Sequence, residues 1–131
     1  MLMNIREILK PAQENRFAVP AFNVSSSMLL KAVIEGCEEN NSPVIIAIHP
    51  DELSFITNSF MPYVIAEANR TRIPVCIHLD HGSSYEQVVT AIRNGFTSVM
   101  IDASTISFAE NIRITKKPYD RNRTIQTAVY R

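Results

Sequence analysis

The chain has 131 residues and 46% hydrophobic content, enough for one packed domain and too apolar for a disordered chain. Lysine plus arginine and aspartate plus glutamate both number 13, so the net charge offers no general attraction for nucleic acid or an anionic membrane, and the expected partner is a small molecule. Cys37 and Cys76 each lie in an apolar run outside any CxxC pair, as buried free thiols of a reducing, cytoplasmic compartment do, and neither a secretory leader nor an apolar run of about 20 residues is seen.

In chain order, Ile5, Ile8 and Leu9 recur at helical spacing and predict a short amphipathic helix that plugs one end of the remaining fold. Phe17 to Phe22 reads as a strand ending at Asn23, followed by serines that can cap a helix. Met28, Leu29, Leu30, Val33, Ile34 and Cys37 follow a 3.6-residue period and predict that helix. Pro43 to Ile48 is a continuous β-branched run, the pattern of a strand buried on both faces, and His49-Pro50-Asp51 ends it. Leu53 to Ala68 reads as a helix that Pro62 should kink or split. Ile73 to Asp80 is a third strand, Ser83 or Ser84 caps a helix carrying Tyr85, Val88, Val89 and Ile92, and Asn94-Gly95 stops it. Phe96 to Ile101 is a fourth strand ending at Asp102, and Phe108 to Lys117 begins another helix. Pro118 should break that helix, leaving residues 118–131 as an irregular tail.

Strands alternating with helices at about thirty residues per repeat predict an α/β fold of parallel β/α units. Pattern alone leaves both a (β/α)8 barrel and a doubly wound open sheet in play.

Period-2 alternation in the third strand places Val75, Ile77 and Leu79 on one face and Cys76, His78 and Asp80 on the other. Asp80 therefore points inward at the carboxyl end of a strand, where the active sites of parallel α/β folds gather, and a buried carboxylate there needs a metal, a donor or a proton. His81 beside it is a candidate metal ligand, with Gly82 permitting a tight turn. Alternation also sends His78 and His81 in opposite directions, so residue spacing gives one ligand rather than a metal site. Asp102 ends the next strand and could stand near Asp80 and His81, whereas Ser104 reads more naturally as a cap for the following helix. Asn23 and His49 end the first two strands, where each could bond a polar ligand.

Ala18-Val19-Pro20-Ala21-Phe22-Asn23, Ser42-Pro43-Val44-Ile45-Ile46, Leu79-Asp80-His81-Gly82 and Ser98-Val99-Met100-Ile101-Asp102-Ala103-Ser104 resemble, in order and spacing, the class II fructose- and tagatose-bisphosphate aldolases. The resemblance runs from about residue 1 to Lys116, continues through Phe108-Ala109-Glu110-Asn111-Ile112, and implies about half of a TIM (β/α)8 barrel, residues 1–117, followed by a divergent tail. It implies reversible cleavage of a ketose bisphosphate into dihydroxyacetone phosphate and glyceraldehyde 3-phosphate, with a Zn2+ cofactor polarising the carbonyl. Asp80 would be the proton donor and acceptor at the substrate hydroxyl, His81 the first zinc ligand and Asp102 a residue near the metal, with Asn23 and Ser104 toward substrate. The full-length family implies a homo-oligomer. Further zinc histidines and glycine-rich phosphate loops come from later strands of the family, and His49-Pro50-Asp51-Glu52 stands where relatives often carry a small glycine-containing loop. The expectation is therefore a truncated aldolase whose bare sheet edges and uncovered inner face make it unstable alone. The alternatives are a non-catalytic half-barrel that pairs with itself or a separate C-terminal half, and, outside the family, an α/β binding module.

Overall fold

A computed structural model of the chain describes residues 1–56, 58–121 and 126–128. The elements follow in the order α1 (Ile5–Asn15), β1 (Ala21–Asn23), α2 (Ser27–Glu39), β2 (Val44–Ile48), α3 (Pro50–Ile56), a 3-10 turn (Asn58–Phe60), α4 (Met61–Arg70), β3 (Val75–Gly82), α5 (Tyr85–Arg93), β4 (Ser98–Ile101), α6 (Phe108–Arg121) and β5 (Gln126–Ala128). All strand pairs are parallel and the spatial order is β1-β2-β3-β4-β5. This order decides between the two architectures left open by pattern. A doubly wound sheet reverses direction at a switch point, whereas here each crossover steps to the next strand on the same side, as in a barrel. The fold is about half of a (β/α)8 barrel.

The strand faces follow the alternation. Val44, Ile46 and Ile48 of β2, Val75, Ile77 and Leu79 of β3, and Val99 and Ile101 of β4 form one core with Leu30, Ile34, Val64 and Val88 of the helices. Phe96, 2% exposed, fills the base of this layer. On the opposite face Ile45 and Cys76 pack against Ile8 of α1, with Ile5 and Val19 alongside, so α1 covers part of the inner face through Ile5 and Ile8, while Leu9 of the expected stripe is exposed. The inner face is consequently not bare: Ile45, Ala47, Cys76, His78 and Met100 are all buried. Exposed large apolar side chains lie on other surfaces: Phe17, Phe22, Met28 and Leu29 near the β1 edge, Phe55 in α3 and Phe108 at the start of α6.

Local chemistry sets the boundaries. Asn4 caps α1 in a capping box, accepting from the amides of Arg6 and Glu7 while its own amide donates to Glu7 Oε2 at 2.9 Å. β1 begins at Ala21 rather than Phe17, because Pro20 has no N–H to give the ladder and contributes only its carbonyl, to Ile45. The expected Leu53–Ala68 helix is split, but before Pro62. Pro62 lies in the first turn of α4, where the missing N–H is not needed. Ser84, not Ser83, caps α5 through the Gln87 amide.

The expected break at Pro118 is absent: α6 continues to Arg121, and Gln126–Ala128 adds a strand beside β4 within the stretch read as irregular. A single proline removes one backbone bond and can remain inside a helix that is otherwise satisfied, as Pro11 does in α1. Among the described residues, no helix is long and apolar enough to cross a membrane.

Candidate active site at the strand ends

The carboxyl ends of β2, β3 and β4 bring His49, Asp80, His81 and Asp102 to one rim of the sheet. Asp80 extends the inward series of Cys76 and His78, and its side chain is 25% exposed. By alternation His81 should face the helices. Instead it adopts a left-handed backbone, φ 52°, and the β3–β4 register slips between Leu79 and Gly82. A non-glycine residue in that region is strained and clusters at functional positions. The consequence is geometric: His81 Nδ1 lies 2.8 Å from Asp102 Oδ2, while Nε2 lies 3.8 Å from Asp80 Oδ1. Adjacent residues that a regular strand would separate therefore share one site.

Gly82 permits this close approach. A Cβ at that position would stand 2.5 Å from the Met100 carbonyl oxygen and 2.9 Å from Leu79 Cδ2. The Gly82 carbonyl accepts the Asp102 N–H at 2.8 Å, which ties the end of β4 to that of β3.

Both oxygens of Asp102 are engaged. Oδ2 bonds His81 and Oδ1 accepts the Ser104 N–H at 2.9 Å. The His81 bond first, then Ser104, pulls the Asp102 carboxyl down to about 2. Reciprocally, the bond to Asp102 raises His81 above its ordinary value, with Asp80 adding to the effect. Ser104 is not the cap of α6. The Glu110 amide donates to Ser107 Oγ at 3.4 Å, so that role falls to Ser107.

His78 sits one layer deeper, 6% exposed, with Nδ1 2.7 Å from Ser98 Oγ, and burial lowers its pKa. It does not join His81. Asn23 ends β1 in register with Ala47, and among the described residues no hydrogen bond links it to Asp80, His81 or Asp102. His49, which sequence reasoning treated only as one strand-end group, stands with its ring centroid 5.9 Å from that of His81.

The donor set bears on zinc directly. An imidazole whose Nδ1–H is given to a carboxylate keeps the Nε2 lone pair for a metal, the usual carboxylate–histidine arrangement around zinc. Here that tautomer is inferred from the Asp102 bond. A catalytic zinc takes about three protein ligands. Among the described residues no group of three or more histidine, cysteine, aspartate or glutamate side chains could hold a metal. The described residues thus fit one oriented ligand of a zinc site rather than a whole one.

Comparison with known proteins gives this geometry its context. The family model described as fructose-bisphosphate aldolase class-II matches residues 3–129. The fructose-bisphosphate aldolase of Thermus caldophilus is 44% identical over 117 residues, covering 89% of this chain and 38% of that protein. That of Staphylococcus aureus is 40% identical over 121 residues, 88% of this chain and 42% of its own. Among solved structures, the YdjI aldolase of Escherichia coli superposes with a TM-score of 0.91 at 33% identity over 97% of this chain and 50% of its own. A putative fructose-1,6-biphosphate aldolase of Coccidioides immitis gives 0.86 at 28% identity, over 95% and 45%. The chain thus spans about two fifths of the length of the curated relatives it matches. With the family model reaching all but two residues at either end, and the fold superposing on half of a solved aldolase, the chain belongs to the class II fructose-bisphosphate aldolase family.

Proposed function

We propose that the chain carries the acid–base carboxylate and the first metal ligand of a zinc-dependent aldolase that cleaves a phosphorylated ketose, fructose or tagatose bisphosphate being the substrates the family implies. The single observation that supports this most is the His81–Asp102 bond of 2.8 Å with His81 Nε2 left beside Asp80. His81 would hold zinc through Nε2, and Asp102 would orient the ring and raise its basicity. Zinc, when bound, polarises the substrate carbonyl. Asp80, 3.8 Å from that nitrogen, would take the proton of the hydroxyl on the carbon β to that carbonyl as the bond between the α and β carbons breaks, the electron pair passing to the enediolate, and would return the proton in the reverse reaction. Asn23 and Ser104 would meet substrate at the edges of the site. The partner is a sugar phosphate, the compartment cytoplasmic and the assembled enzyme a homo-oligomer, as the family implies.

Zinc titration of the 15N-labelled chain, followed by long-range histidine spectra, tests the ligand assignment. Zinc should move the His81 nitrogens and leave His78 in place. Asp102→Asn should weaken zinc binding by about tenfold or more, as loss of a partner that orients a metal-bound histidine does. Unchanged zinc affinity in His81→Ala would remove His81 from the site.

A further inference from the structure

The end of β2 places beside His81 a group that the proposed chemistry leaves unused. His49 directly follows Ile48, whose register partner is Leu79 on β3, and its ring is tilted 48° to that of His81. Its Nδ1 accepts the Asp51 N–H at 3.2 Å. That bond uses the Nδ1 lone pair, so the neutral ring carries its proton on Nε2. Nε2 has no hydrogen-bond partner among the described residues, which leaves one N–H donor free on a half-exposed ring at the strand-end rim.

The same turn disfavours anions. A free backbone N–H beside a helix start is what ordinarily holds a phosphate oxygen. Here Glu52 Oε2 already accepts the His49 N–H at 3.0 Å, and the Asp51 carboxylate lies 3.6 Å from Nδ1. Among the described residues, the charged groups that contact His49 and His81 are Asp51, Glu52, Asp80 and Asp102, all of them acidic. A dianionic phosphate over β2 would meet these carboxylates. A hydroxyl or carbonyl oxygen there would instead find the His49 donor.

We infer that His49 determines specificity: the part of the substrate lying over the end of β2 is an uncharged, hydroxylated carbon chain bonded by His49 Nε2–H, and not a phosphate. The inference rests on the aldolase reading and deepens it at one place, the part of the substrate over the end of β2. Titrating the 15N-labelled chain with dihydroxyacetone and, separately, with inorganic phosphate tests it through the His49 nitrogens. Dihydroxyacetone should move His49 Nε2, and His49→Ala should weaken its binding by about tenfold, the worth of one neutral hydrogen bond. Phosphate should move His49 only in the Asp51→Asn, Glu52→Gln double variant. Phosphate acting on the unaltered chain at lower concentration than dihydroxyacetone, or no response to either, would overturn the inference. Condensation of dihydroxyacetone phosphate with D-glyceraldehyde and with glyceraldehyde 3-phosphate, assayed on this chain combined with the C-terminal remainder of the Thermus caldophilus aldolase and zinc, separates the two levels. Turnover with neither aldehyde counts against the aldolase reading alone, and preference for the phosphorylated one counts against His49.

Discussion

Replacing Gly82 with alanine should destabilise the chain and disturb the site at once. The added Cβ would meet the Met100 carbonyl oxygen at 2.5 Å and Leu79 Cδ2 at 2.9 Å. The leucine terminus can rotate away. The carbonyl cannot move without shifting β4, whose Asp102 amide is bonded to the Gly82 carbonyl at 2.8 Å. Overpacking of about 2 kcal/mol together with about 1 kcal/mol from the strained hydrogen bond outweighs the unfolded-state gain of about 0.5 kcal/mol from losing a glycine. The net loss expected is about 2 to 3 kcal/mol. Gly36→Ala serves as the opposite control. No atom stands within 4 Å of a Cβ there, and the position lies inside α2. Alanine should therefore stabilise by about 0.5 to 1 kcal/mol. Urea unfolding followed by circular dichroism, with unchanged m-values, reads both. A Gly82→Ala loss under about 0.5 kcal/mol would mean that β4 is not held against β3 in the way that brings Asp102 to His81.

Two further outcomes rest on the hydrogen bonds. Asp102→Asn should bring the His81 pKa down toward its ordinary 6.5, read by histidine NMR titration, and an unmoved value would contradict the pairing. Because folding raises His81, the pair's stabilisation is complete below 6.5 and fades as pH rises through the folded value. Because folding lowers Asp102, the stabilisation is complete above 3.8 and is lost as pH falls through about 2, so it is greatest between these limits, from 3.8 to 6.5. Asn4→Ala removes the side-chain arm of the α1 capping box, which accepts from the Arg6 and Glu7 amides, keeps the backbone N–H that donates to Glu7, and should cost about 1 kcal/mol in thermal or urea unfolding. A change below the error of such measurements would show that tertiary packing of Ile8 alone holds α1.

The sheet was legible in the sequence where burial on both faces writes a continuous apolar run, as in Val44–Ile48 and Ser98–Ile101. It was less legible where backbone chemistry overrides side-chain pattern. Pro20 shortens β1, Pro62 starts a helix instead of breaking one, and α6 passes through Pro118. Spacing assigned Asp80 to the inner face because three alternating residues lead up to it. It could not place His81, since one left-handed residue and one slip of the ladder reverse the direction that alternation gives. The signal was Gly82: a glycine directly after a strand-end histidine marks a spot where backbone must approach backbone. The His49–His81 proximity depended on register between strands, which a single sequence does not contain.

The most direct test of the central claim is aldol cleavage by this chain combined with the C-terminal remainder of the Thermus caldophilus aldolase and zinc, using fructose 1-phosphate and fructose 1,6-bisphosphate as substrates. The account predicts release of dihydroxyacetone phosphate from at least one of them. Asp80→Asn should lower kcat by about a hundredfold or more, the usual weight of a positioned acid–base group, while leaving zinc content unchanged. Turnover that survives Asp80→Asn undiminished would contradict the account, because the chemistry would then reside elsewhere in the assembled barrel.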